Sequence, residues 1–358
     1  MAAPQILQMP AMPRSPRPIV LIGAGGIVRD AHLPAYRKAG FQVAGVYDRD
    51  QGKAAALARD FGIAKIYGSL PEAVRQAPAD VVFDVAVPAS AILSILRELP
   101  PRSVALIQKP MGEDLAAARA IRDVCRQQNF IAAINFQLRY APYVLAARSL
   151  IDHGVIGDLH DMEVRVTAET PWHLWTFMQG IPRVEIVYHS IHYLDLMRAF
   201  LGEPRGVYAK VTKHPSTRQL AGTRSAIILD YGDMLRATIT TNHHHVYGPR
   251  HQESYAKWEG TRGAIKATLG VLIDYPKGIP DVMEYITTTG EQLGEWQNVS
   301  LDGTWFPDAF IGTMSSLQRF TEGSTTELPT SVEDAYHTMA LVEAAYQSSD
   351  HGATSIPE

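Results

Sequence analysis

Cysteine is nearly missing from this sequence: Cys125 stands alone among 358 residues. A lone thiol can form neither an internal disulfide nor a zinc–thiolate cluster, and it suits a reducing, cytoplasmic setting. No uninterrupted apolar run approaches the roughly 18 residues that a membrane span needs. Excess positive charge is absent too: the net charge is −4 and the pI about 6.4, so no basic field exists to hold nucleic acid. Residues 1–16 include Pro4, Pro10, Pro13 and Pro16, too broken for the apolar segment of a secretory leader, and a flexible tail is expected there. What remains is 46% hydrophobic and 20% charged, the composition of a soluble globular protein long enough for two domains.

The most informative stretch is 19–28. Ile19, Val20, Leu21 and Ile22 read as a buried strand running into Gly23, Ala24, Gly25 and Gly26, and then into a helix over 29–38. Gly23 permits a tight turn, Gly25 lets backbone approach a ligand, and the helix N-terminus presents unpaired N–H groups to a pyrophosphate. Ile27 and Val28 complete the turn, with Val28 where glycine or alanine is usual. A second strand over 41–47 ends at Asp48, 20 residues beyond Val28, the position from which a carboxylate grips a ribose diol. Its charge favours NAD over NADP, while Arg49 leaves room for a 2′-phosphate.

From there strands and helices alternate: helix 51–61, a short strand 65–67, a helix starting at 68–72, strand 80–88, helix 89–99, strand 103–108, helix 114–128 and strand 131–135. Continuous apolar runs such as 81–87 belong to strands buried on both faces, and the alternation describes a doubly wound parallel sheet. Ligands of such sheets lie beyond the carboxyl ends of the strands, which singles out Gly23, Asp48, Val87, Pro88, Gln108, Lys109 and Gln137. After a helix over 141–153 the texture changes to alternating runs at 162–168, 206–212, 224–230, 235–242, 252–259 and 264–269, interrupted by a helix over 183–201 and closed by helices over 308–321 and 332–346. The expected fold is therefore α/β: a Rossmann-type domain over 17–138, then an α+β domain over 139–358 on a large, open, mostly antiparallel sheet. Such a sheet is a natural self-association face, so a homodimer or homotetramer is expected.

Two stretches carry candidate chemistry. In Gln108-Lys109-Pro110 a strand runs straight into a proline, projecting Lys109 where a nicotinamide would lie, suited to passing a hydroxyl proton. The helix over 183–201 places Glu185, Tyr188 or His189, His192 and Asp195 on one face, and histidine suits acid–base work at neutral pH. Trp172 and Trp175, in the loop before that helix, offer aromatic faces to a sugar ring, or an apolar plug. His243, His244 and His245 end a strand. Alternate members suit zinc, with His189 or His192 as third ligand, but hydrogen-bonding histidines are commoner and no metal is expected.

The glycine turn with Asp48, the Lys109-Pro110 strand end, the segment from Asn135 through Gln137 and Arg139 to Tyr140, the His192-x-x-Asp195 pair and the Glu259–Ile265 turn together resemble the Gfo/Idh/MocA oxidoreductases. The resemblance implies an NAD(P)-dependent dehydrogenase acting on sugars, polyols or related cyclic compounds. Lys109 would be its catalytic lysine and His192 its substrate-side histidine, with Arg139 and His189 nearby on the substrate. This chain departs from the family at three points. Gln108 replaces a glutamate before the lysine, Tyr188 an aspartate before the histidine, and Ala89 an asparagine after Pro88. Two other readings fit the same scaffold: a redox-neutral enzyme that cleaves or eliminates through transient oxidation, and a non-catalytic cofactor sensor.

Overall fold

The computed structural model describes residues 6–290 and 292–357. Contacts divide them into two units, one of Met9–Ala141 and Trp305–Met339, the other of 6–8, Pro142–Thr304 and 340–357.

The first unit is built on β1 (Ile19–Ile22), α1 (Leu33–Ala39), β2 (Val43–Tyr47), α2 (Gln51–Phe61), α3 (Leu70–Gln76), β3 (Val82–Val85), α4 (Ala89–Glu98), β4 (Val104–Ile107), α5 (Leu115–Gln127) and β5 (Ile131–Ile134). Its five strands are all parallel, in the order β2-β1-β3-β4-β5. Strand order reverses between β1 and β3, the crevice position of nucleotide-binding sheets. Every residue of β1, β3 and β4 is buried, as uninterrupted apolar runs require. Local chemistry sets the helix ends. The Asp50 side chain accepts from the Gly52 and Lys53 amides at the start of α2, and Gly62, at φ 70°, closes it.

Three expectations change here. Residues 65–67, expected as a strand, make only a bridge from Ile66 to Val46. The Ser69 cap starts α3 too soon for a longer pairing. Residues 305–339, expected with the second domain, pack on the first: α8 (Ala309–Thr321) buries Phe310, Ile311, Met314 and Leu317 in the core beside Leu106 and Ala133. Gly312 lets it approach, since a Cβ there would stand 2.3 Å from Tyr140. The described part of the expected flexible tail is anchored: the Arg14 and Ser15 amides both donate to Glu322, and the Arg17 amide to Gln318.

The second unit contains α6 (Pro142–Asp152), β6 (Leu159–Thr167), α7 (Ile191–Leu201), β7 (Gly206–Thr212), β8 (Arg224–Asp230), β9 (Arg236–Asn242), β10 (Glu253–Gly260), β11 (Gly263–Thr268), β12 (Val282–Thr289), β13 (Gln292–Leu293) and β14 (Gln297–Val299). The strands run β13-β12-β11-β10-β6-β9-β8-β7, with β14 on β12. Among the described residues, only β6 and β9 of this sheet pair in parallel. β12 to β14 extend the sheet beyond the strands expected from the sequence. α7 lies on one face, its Phe200 ring 5.2 Å from the buried Trp258. The free edge at β7 is covered by the end of α9 (Val332–His351), where the Ser348 and Ser349 hydroxyls accept from the Ala209 and Val211 amides.

Glu322 generates a prediction. The Ser324 hydroxyl and the Arg14 and Ser15 amides lower its carboxyl from 4.5 to about 2. A depressed carboxylate contributes stability above its unfolded value and loses it as pH falls toward its folded one. The stability difference between wild type and E322Q is therefore expected to be full above pH 4.5 and to shrink toward pH 2, as measured by denaturant unfolding at several pH values.

Candidate active site

The glycine turn is organised by a close approach at the strand-order reversal. Gly23 sits at φ +116°, and a Cβ there would stand 2.2 Å from the Ala86 carbonyl oxygen after β3, so only glycine fits. Its amide donates to Tyr47 O, and the Ala24 amide donates to the Asp48 carboxylate at 2.7 Å. The other Asp48 oxygen accepts from Asp50 N at 2.8 Å. Each oxygen keeps lone-pair capacity for a ribose hydroxyl. A cavity of about 440 Å³ opens beside the turn, lined by Ala24, Gly25, Gly26, Arg29, Lys53 and their neighbours on α2. A Cβ at Gly25 would meet no atom within 4 Å, so the absent side chain leaves the backbone open to a ligand. Ile27 and Val28 turn the other way and pack into the core, which explains why valine is tolerated at the third motif position. Arg49 and Pro88 are exposed, Val87 half-buried. Gln137 is buried, and its Oε1 has no hydrogen-bond partner. The turn, Asp48 and the Gln137 oxygen fit a dinucleotide: the amides of Gly25 and Gly26 would hold its pyrophosphate and Asp48, oriented by the Ala24 amide, its ribose.

Lys109 stands two residues past the end of β4 and is half-buried, and burial lowers its ammonium from 10.5 to about 7. Gln108, expected on the cofactor, faces inward instead. Its Oε1 accepts the Lys109 amide at 2.9 Å, and its Nε2 approaches His32 at 3.4 Å. Arg139, expected on substrate, is tied to Asp334 and to the Pro329 carbonyl, both at 2.7 Å, because a guanidinium only 10% exposed needs a carboxylate.

In the second unit a π-helical turn over Glu185–Ser190 runs into α7, a wider winding that recurs at functional sites. It buries Glu185 completely. The Ser190 and Thr241 hydroxyls donate to Glu185 Oε1 at 2.6 and 2.8 Å, while Oε2 has no partner. Burial raises this carboxyl. His243 stands 3.8 Å away through Nε2 and stacks on His189 at 4.4 Å between ring centroids. Burial lowers His243 from 6.5 to about 4, so both groups of the pair are driven toward their neutral forms. His192 is 8% exposed and Asp195 1%. Tyr188 and Trp172 join a small apolar cluster with Met178, Val184 and Leu220. Trp172 also donates to His244 at 3.2 Å, so its ring is committed to packing, whereas Trp175 stays half-buried beside Tyr275. The three consecutive histidines do not alternate on a strand. β9 ends at Asn242, and His243, His244 and His245 enter three different surroundings, the last against Tyr247. Among the described residues no three His, Cys, Asp or Glu side chains are set to hold a metal ion.

The sequence reading missed the buried group His32, Tyr36 and Asp84. Its signal was present: Asp84 is a lone carboxylate inside an apolar strand buried on both faces, which demands a partner.

Sheet order, glycine turn and terminal carboxylate define a dinucleotide-binding Rossmann unit joined to a second, sheet-based unit. Residues 17–136 match the oxidoreductase family with NAD-binding Rossmann fold, and residues 144–266 match the GFO/IDH/MocA C-terminal domain. The chain belongs to the Gfo/Idh/MocA family of NAD-binding oxidoreductases. It is 24% identical over 333 residues to a D-apiose dehydrogenase of Rhizobium rhizogenes, covering 88% of this chain and 90% of that one. It is 23% identical over 347 residues to a D-xylose 1-dehydrogenase (NADP(+)) of Haloferax volcanii, covering 93% and 97%. An Agrobacterium radiobacter oxidoreductase, crystallised with NAD+, L-tartaric acid and magnesium, shares the fold at a TM-score of 0.76 and 20% identity, over 95% of this chain and 98% of that one.

His243 carries the second prediction. A histidine whose folded value is lowered contributes stability above its unfolded value and loses it as pH falls. Relative to H243F, the wild type should lose stability between pH 6.5 and about pH 4; paired urea titrations check this.

Proposed function

We propose that this chain is a dehydrogenase that oxidises a hydroxyl of a sugar, polyol or related cyclic compound. The observation that carries the reading is Lys109 at the end of β4, desolvated to about 7. A bound nicotinamide would accept the hydride. The chain's own part is proton management and orientation. Unprotonated Lys109 Nζ accepts the hydroxyl proton, a form that its lowered value makes accessible near neutral pH. His192 holds the substrate, with His189 and Tyr188 beside it on the same helical segment. The family names of the relatives support a sugar-like substrate, and Asp48 supports NAD over NADP by repelling a 2′-phosphate.

The test is turnover of D-apiose, D-xylose and a polyol panel with NAD+, followed by reduced-nicotinamide absorbance. Wild type should form NADH, with kcat/KM falling about tenfold per pH unit below the Lys109 value. K109M should reduce turnover at least about 10³-fold while still binding NAD+ in calorimetry. Full activity in K109M sinks the assignment. NAD+ binding with no turnover on any substrate would favour a sensor, and substrate cleavage without NADH a redox-neutral enzyme.

We propose further that two or four copies associate through the exposed sheet face, where Tyr208 and Ile228 stand opposite each other on β7 and β8, 65% and 51% exposed. Sedimentation at micromolar concentration should show a dimer or tetramer, and Y208K/I228K a smaller species; a monomeric wild type contradicts this.

A further inference from the structure

Behind Lys109 lies a polar chain sealed inside the first unit. The Lys109 amide donates to Gln108 Oε1 at 2.9 Å, which orients the Gln108 amide so that its Nε2 faces His32 Nε2 at 3.4 Å. The Thr313 hydroxyl on α8 donates to Asn135 Oδ1 at 2.7 Å, so Asn135 Nδ2 likewise faces His32 Nε2, at 3.3 Å. Two N–H donors thus point at one ring nitrogen. That nitrogen has a single lone pair to offer, and both contacts are long because they share it. It therefore carries no proton. The ring's proton sits on Nδ1 and is donated to Asp84 Oδ2 at 2.7 Å, where the Tyr36 hydroxyl also donates at 2.7 Å. His32, Asp84 and Asn135 are all fully buried. The π-helical turn Val28–His32 delivers the ring to this point, and Phe310 packs on it at 5.0 Å.

We propose that His32, fixed as the neutral Nδ1–H tautomer by Asp84, is a positioning residue for Lys109: it locks the Gln108 amide, which holds the lysine at the strand end. The arrangement explains why an amide stands at position 108. Glutamine donates to His32 and accepts from Lys109 at once. A glutamate would accept at both ends and could not donate to His32, so the contact from position 108 to the ring would be lost. Among the described residues, the charged and titratable groups bonded into this chain are Asp84 from β3, Tyr36 from α1 and Lys109 itself, while α8 contributes Phe310 and Thr313. The inference rests on the reading of Lys109 as the proton-transfer group, so its tests use readouts that need no turnover.

The first test is ring-nitrogen NMR of the full chain at neutral pH. Wild-type His32 should show a bare Nε2 and a protonated Nδ1. A protonated Nε2 in wild type overturns the proposal. The second test is competitive labelling with acetic anhydride, following the Lys109 peptide against pH by mass spectrometry. The wild-type midpoint should lie near 7. In Q108E the new carboxylate should raise it by about one unit or more. In H32L the released lysine should move toward the ordinary lysine value of about 10.4, and H32Q, which restores an amide to the network, should bring it back. A folded H32L with lowered melting temperature but an unmoved midpoint would mean that His32 only packs the core, and would overturn the proposal. Should H32L fail to fold, the wild-type and Q108E measurements decide. K109M that stays active would remove the catalytic reading of Lys109 without altering the ring-nitrogen result.

Discussion

The first unit depends on one buried ion-dipole contact, the Asp84 carboxylate with the His32 ring. Asp84 sits on the third strand of a sheet covered on both faces, where a carboxylate without hydrogen-bond donors is untenable. Meeting that charge draws in five other elements: the π-helical turn Val28–His32 supplies His32, α1 supplies Tyr36, the end of β4 supplies Gln108, the end of β5 supplies Asn135, and α8 supplies Thr313. Those are the elements that frame the glycine turn and the lysine. A requirement of core electrostatics thereby sets the geometry of the strand ends where ligands of this fold bind.

The second unit solves a related problem differently. Its buried carboxylate, Glu185, receives hydroxyls from Ser190 and Thr241 rather than a charge, and burial moves it and His243 toward neutrality. Both units use a π-helical turn at the same point of need, over Val28–His32 and over Glu185–Ser190. The wider winding shifts the side chains that follow relative to a regular helix, and in each case it brings a polar group to a buried partner.

Much of the fold was legible because its causes are local. The run 19–22 reads as a buried strand, α2 spans the 51–61 expected, and the alternation over β7 to β11 declares a sheet with one buried face. The strand-end positions Gly23, Asp48 and Lys109 followed from that order of elements. Less legible was which side chains those positions keep free. Gln108 and Arg139 carry polar groups suited to ligands, yet both are bound within the protein, to partners that no local pattern announces.

By itself, the sequence determined the class of sheet, the place of the glycine turn and the residue types at the strand ends, since period, capping and steric freedom act over a few residues. Only the tertiary structure decided that α8 returns to the first sheet, that Arg139 belongs to Asp334, and that His32 is the hub behind Lys109. His32 meets Asp84, Gln108 and Asn135 across 52, 76 and 103 residues of chain. Hydrogen bonds are selected by distance in space, and a sequence orders its residues only along the chain.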